Sequence, residues 1–223
     1  HGPSRWTRTP MPIGSLEFGT TSVGAVDADE SDAVWLTVTD YLTPTTLMLA
    51  EVGGPPEAVE VLKTMPAFFD ASKHVVEQHF ATSKDGTKVP YFLVRAKDVK
   101  LDGSNPTLLY GYGGFEVSMT PGYSGGVGMG WLEKGGVYAV ANIRGGGEYG
   151  PRWHQAALKQ NRHKAYEDFA AVAQDMITRG ITSPKHLGIQ GGSNGGLLTG
   201  NMLVQYQELF GAVVVQVPLL DMK

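Results

Sequence analysis

"IQGGSNGGLL", residues 189 to 198, decides how this chain is read. Its centre, Gly191 to Gly195, fits G-x-S-x-G with Ser193 in the middle. The apolar run "HLGIQ" precedes it as a strand, and "GLLTGNMLVQYQ" follows as a helix. A serine between a strand and a helix occupies a tight turn that lifts its hydroxyl above the sheet. Small neighbours are required because the backbone is crowded there. The amide of the next residue, Asn194, then stands at a helix start and points at developing negative charge. The competing reading is a glycine-rich turn with a capping serine.

Outward from this turn the chain alternates strand and helix. "TLLYGY" and "VYAVANI" are compact apolar runs that suit buried parallel strands, and each ends in glycines or leads into them. Between Lys164 and Gly180, residues Phe169, Val172, Ala173, Met176 and Ile177 fall at i, i+3, i+4, i+7 and i+8. That is one face of a helix, closed by Gly180 and "TSP". On that helix Glu167, Asp168 and Asp175 read as the solvated face, and Glu208 reads as part of the helix after the serine. "AVVVQV" supplies a further strand. Strands and helices alternating through short links give an α/β fold with a parallel sheet.

Upstream the rhythm differs. From Thr21 to about Arg95 the runs "SVGAVDA", "AVWLTVT", "TTLMLAEV", "VVEQHFATS" and "VPYFLVR" are short and extended. Acidic, Thr-Pro and Asp-Gly turns separate them, which predicts antiparallel strands. No repeat of this unit is visible within the chain.

Composition restricts the function classes. The chain is 42% hydrophobic and 18% charged, as in a globular protein. Its net charge of −4 comes without any basic run, which argues against nucleic acid as a partner. It contains no cysteine, so disulfides and thiolate metal sites are excluded. No apolar run suits a bilayer span, so a membrane partner is not expected. A soluble protein of cytoplasm or periplasm is expected, with the compartment left open. The opening "HGPSRW" lacks an initiator methionine and the chain stops just after what reads as a buried strand, so a piece of a longer polypeptide is expected.

Two other glycine-rich turns need weighing. "GGGEYG", Gly145 to Gly150, matches the G-x-G-x-x-G of a dinucleotide site and follows the strand "VYAVANI". An acidic residue should then end the next strand about 20 residues on, but that region, "AYEDFAAVAQ", reads as helix. Arg144, Pro151 and Trp153 also crowd the turn. "YGYGGF", Tyr110 to Phe115, places a phenol at Tyr112 and an apolar wall at Phe115; by itself it reads as a loop with two part-buried aromatics. The histidines are spaced too irregularly for a metal site.

Taken in order, "LLYGYGGF", "AVANIRGGGEYGPRWH", "TSPKHLGIQGGSNGGLL" and "FGAVVVQVPLLDM" resemble the prolyl oligopeptidase family of serine peptidases. The resemblance is dense from about Lys84 to Met222. It implies an α/β-hydrolase domain, here its N-terminal half, coupled to a β-propeller whose last blade "YLTPTTLMLAEV" resembles. The implied boundaries are residues 1–72 for the end of the propeller and 73–223 for the partial catalytic domain. Residue by residue, the resemblance makes Ser193 the nucleophile and the Asn194 amide and Tyr112 hydroxyl the oxyanion donors. Phe115 falls on an aromatic of the substrate pocket.

The implied activity is cleavage of short peptides after proline through an acyl-enzyme, with no cofactor and no metal. Its partners would be short proline-containing peptides and the remainder of its own polypeptide. In α/β-hydrolases the acid and the histidine follow the serine. Here no histidine follows Ser193, and only Glu208 and Asp221 are acidic after it, so both triad partners are expected outside these 223 residues. The alternatives are a related hydrolase of other specificity (oligopeptidase B or an acylaminoacyl peptidase), or a nucleotide-binding oxidoreductase resting on "GGGEYG".

Overall fold

The computed structural model describes residues 16–221; "HGPSRW", Met222 and Lys223 lie outside them. The described residues form two compact units, divided between Ala67 and Phe68, with Pro121–Tyr123 joining the first.

The first unit is a four-stranded antiparallel sheet of β1 (Thr20–Ala25), β2 (Ala33–Thr39), β3 (Thr46–Glu51) and β4 (Glu60–Thr64), in that order. β2 shows why it forms. Val34, Leu36 and Val38 alternate inward, while Trp35 faces out. Val34 and Leu36 meet Ala50 of β3 in a small core. Between β1 and β2 the Asp27 carboxylate accepts the amides of Asp29 and Glu30, which fixes the acidic turn. β4, "EVLKT", gave no sequence signal because all five of its residues are exposed. It pairs with β3 across a register shift at Leu47/Met48.

The second unit carries a six-stranded sheet. Its strands are β5 (His74–Thr82), β6 (Lys88–Ala96), β7 (Thr107–Gly111), β8 (Val137–Ala141), β9 (Leu187–Gly192) and β10 (Ala212–Gln216), in the order β10-β9-β7-β8-β6-β5. β10, β9, β7 and β8 run parallel. The hairpin β5–β6 adds antiparallel through β6 on β8. The helices are α1 (Gly125–Gly130), α2 (Pro151–Gln155), α3 (His163–Thr178) and α4 (Asn194–Gln205). α3 packs on β5, β6 and α4, while α4 packs on β7, β9 and β10. Leu109, Ala139, Ile189, Phe169, Val172, Met176 and Leu198 form the fully buried centre.

The apolar face expected for α3 is the buried one, but its acidic residues are not uniformly solvated. Asp168 is completely buried. Its carboxylate accepts Arg144 Nη2 at 2.6 Å, Arg144 Nε at 2.9 Å and the Arg144 amide at 3.0 Å. The reason is its neighbours: Asp168 lies between Ala165 and Val172 on the inward stripe, and a buried arginine is there to meet it. Asp175 accepts the Tyr91 hydroxyl at 2.8 Å and Arg179 Nε at 2.7 Å. Glu167 pairs with Lys84 at 3.4 Å. Glu208 also departs from expectation: α4 ends at Gln205, and Glu208 stands in a separate 3-10 turn, Gln207–Leu209.

Candidate active site

Ser193 joins the end of β9 to the start of α4 with φ 56° and ψ −114°. Those angles match the first central position of a type II′ turn, the mirror image of a type II turn, which glycine normally fills. A side chain held there costs on the order of 1–3 kcal/mol and persists only where the surroundings impose it. They do so here. The Ser193 amide donates to Gln216 O at the end of β10 (3.1 Å), and the Leu197 amide donates to Ser193 O (3.1 Å). The side chain is half-buried and makes no capping bond to the helix, so the plain capping role does not account for it.

The flanking glycines have a physical reason. A Cβ at Gly191 would lie 2.9 Å from the Gly195 Cα, and one at Gly195 would lie 2.5 Å from Gly111 O. Strand and helix therefore cross in backbone contact, and any side chain at either position would push the turn apart. Asn194 opens α4, where the first amides lack intrahelical partners by geometry. Its amide is thus available as a donor beside the serine.

Tyr112 follows β7 directly. The structure brings its backbone to Asn194: Asn194 Nδ2 donates to Tyr112 O at 2.6 Å. The loop continues through a run of left-handed backbone at Gly113 (φ 62°), Phe115 (φ 52°) and Glu116 (φ 57°). It is pinned at several points. Arg162 Nη1 donates to Gly113 O at 2.6 Å, and the Glu116 amide donates to Gly145 O at 3.2 Å. His154 Nδ1 lies 2.7 Å from Gly145 O and 3.1 Å from the Glu116 amide, donating to the first or accepting from the second according to its tautomer.

Between this loop and α4 lies an open pocket of about 600 Å³. Phe115, Glu116, His154, Arg162, Asn194 and Leu197 line it. Phe115 is 68% exposed and lines this pocket, so it offers apolar surface to whatever enters. Sequence reasoning missed Glu116 and Arg162 here. No local pattern marks either, because only the fold carries the start of α3 to the loop after β7.

"GGGEYG" makes no dinucleotide cradle. It leads into the five-residue α2, and the next strand, β9, starts only at Leu187. Glu148 turns back over the loop, its Oε1 accepting the Met119 amide at 3.0 Å and Asn142 Nδ2 at 3.3 Å. Its Oε2 is buried without a partner among the described residues. Burial pushes this carboxyl up from its ordinary value. The amides of Gly145, Gly146, Gly147 and Gly150 each donate to a backbone oxygen, so the loop does not present them to a phosphate.

Residues 126–223 match the model of the prolyl oligopeptidase family. An uncharacterised peptidase of Sinorhizobium fredii is 57% identical over 92% of this chain and 28% of its own length. A prolyl endopeptidase of Elizabethkingia miricola is 38% identical over 92% of this chain and 29% of its own. The solved structure of a post-proline cleaving enzyme from Rickettsia typhi superposes with a TM-score of 0.85 at 40% identity, covering 100% of this chain and 31% of that one. The chain belongs to the prolyl oligopeptidase family. It spans under a third of the length of each of these relatives. The six-stranded sheet with α3 and α4 is the α/β-hydrolase fold of that family. Within that prolyl oligopeptidase framework the strained turn at Ser193 and the loop at Tyr112 meet through Asn194.

Proposed function

We propose that this chain forms the nucleophile-bearing part of a serine endopeptidase that cleaves short peptides on the carboxyl side of proline. The observation that carries the proposal is the backbone of Ser193, a non-glycine residue held at φ 56° between β9 and α4. Strain of this kind is retained where the position of a side chain matters. Family membership, with a prolyl endopeptidase and a post-proline cleaving enzyme among the relatives, supports this substrate class. On this reading residues 1–72 close a propeller, of which the four-stranded sheet is a blade, and residues 73–223 begin the catalytic domain.

The chemistry follows from the groups present. Ser193 Oγ attacks the carbonyl carbon of the proline residue while a general base takes its proton. The carbonyl electrons move onto oxygen, where the Asn194 amide and the Tyr112 hydroxyl donate to the oxyanion. Collapse expels the amine, which leaves with the proton, and water then hydrolyses the ester at Ser193. Phe115 forms an apolar wall of the substrate pocket. The histidine base and its acid come from outside residues 1–223, since no histidine follows Ser193.

A fluorophosphonate probe tests the assignment in the active enzyme that contains these residues. It should label Ser193, and Ser193→Ala should abolish labelling and lower kcat by several orders of magnitude while substrate still binds. Parallel assays with proline and arginine before the scissile bond decide specificity. Preference for arginine would replace the proline reading with that of oligopeptidase B. Turnover near wild type in Ser193→Ala would remove the serine from the mechanism.

A further inference from the structure

Arg162 is placed against the grain of its own helix. It stands at the N-cap of α3 with helical dihedrals, and its side chain makes no capping bond. Asn, Asp, Ser and Thr favour that position, and a cation there opposes the helix dipole. Among the described residues it has no carboxylate within ion-pair distance, whereas Arg95 and Arg179 each have one and Arg144 has two. Its guanidinium is directed instead to two neutral oxygens. Nη1 donates to Gly113 O at 2.6 Å and Nη2 donates to Asn194 Oδ1 at 3.2 Å. The other end of that same amide, Asn194 Nδ2, donates to Tyr112 O.

We propose that Arg162 is a positioning residue for the oxyanion donors, its guanidinium tying the loop that carries Tyr112 to the first residue of α4. The inference rests on the proposed serine-peptidase reading and goes beyond it. Two donors act on one oxyanion only if their separation is fixed before charge develops. The donors come from different elements: Tyr112 follows β7, and Asn194 opens α4. Left-handed backbone at the non-glycine residues Phe115 and Glu116 makes the loop prone to relax unless it is held. A rigid planar fork can hold two acceptors at a set spacing, which the single ammonium of a lysine cannot. Arg162 also lies 5.5 Å from the centre of the Tyr166 ring, on the buried face of α3, so the fork is itself anchored.

The test uses the active enzyme with Arg162→Met and Arg162→Lys. A peptidyl-prolinal aldehyde, which forms a tetrahedral adduct, probes the oxyanion site, and a product peptide ending in proline probes ground-state binding. In Arg162→Met, kcat should fall about 10- to 100-fold, the effect of a small misplacement of reacting groups. Aldehyde affinity should fall by a similar factor, while KM and product affinity change little. Arg162→Lys should lose less and carries the test if the methionine variant fails to fold. Wild-type kcat and aldehyde affinity in the variants, or a loss confined to KM, would overturn the inference. The two proposals fail separately. Turnover in Ser193→Ala sinks the serine reading, whereas an inactive Ser193→Ala beside fully active Arg162 variants sinks only this one.

Discussion

Arg144 and Asp168 form a two-pronged pair inside the second unit, Nη2 to Oδ1 at 2.6 Å and Nε to Oδ2 at 2.9 Å, with the carboxylate fully buried. The far side of the same guanidinium reaches Asp85 at 2.6 Å and Ser83 at 3.3 Å. One cation therefore joins α3, the loop after β8 and the β5–β6 turn.

The pair has a consequence for stability. Asp168→Asn keeps the shape but leaves a buried guanidinium short of charge, so it should cost about 3–5 kcal/mol. Asp85 is one-third exposed, and Asp85→Asn should cost about 1 kcal/mol or less. Denaturant midpoints at unchanged slope measure both. Equal losses, or a larger loss at Asp85, would mean that burial does not set the strength of this network.

Asp85 also predicts how the fold responds to acid. The Arg144 hydrogen bond, opposed by desolvation and aided by Thr87, holds its carboxyl well below the ordinary range. A depressed carboxyl contributes stability above its unfolded value, about 3.9, and loses it as pH falls toward the folded value. Glu148 runs the other way: burial raises it, so its contribution is present at low pH and fades as it ionises. The gap in melting temperature between wild type and Asp85→Asn should therefore narrow as pH falls below about 4. A gap that stays constant to the lowest pH that keeps the protein folded would show that Asp85 is not held ionised by Arg144.

The sequence carried much of this architecture and little of this network. β2, β7, β8, β9 and α3 were legible because each buries a periodic set of apolar residues. β10 was legible as an apolar run, although its residues are exposed or only half-buried rather than buried. β4 was not, since a fully exposed strand on a sheet edge has no such pattern. Ser193 was legible from glycines that a backbone crossing demands. Asp168 looked solvated because its charge outweighed its place on the inward stripe, and no local pattern shows the arginine that meets it. Arg162 and Asn194 lie 32 positions apart, so their bond left no local trace.

Tyr112→Phe separates a phenol from its ring. If the hydroxyl donates to the oxyanion, kcat should fall by about 10²- to 10³-fold with little change in KM or melting temperature. The backbone bond from Asn194 to Tyr112 O survives the change, so the loop stays in place. A loss that appears only in KM would make the hydroxyl a ground-state contact.

Expressed by themselves, residues 1–223 should show little peptidase activity, because no histidine follows Ser193 in them, where this fold supplies its base. His186 precedes β9 while Ser193 follows it, so the strand alone keeps them on the order of 20 Å apart. His163 Nδ1 lies 3.1 Å from Gln160 O at the start of α3, and His74 is buried beside Asp70 O and Leu132 O. His79 pairs with Glu77 on β5. His154 is the histidine that lines the pocket with Asn194, and its Nδ1 lies within hydrogen-bond distance of Gly145 O and the Glu116 amide, engaging one or the other according to its tautomer. Oxyanion donors without a base retain at most about 10³- to 10⁴-fold over water. Val214, 45% exposed on the edge strand β10, and Val217, 79% exposed just after it, should also drive self-association of this chain at assay concentrations. The measurement is turnover of a succinyl-Gly-Pro chromogenic substrate with size exclusion on the same sample. Turnover near that of a full-length relative, lost on His154→Gln, would make His154 the base and reverse the order in which this fold supplies its triad.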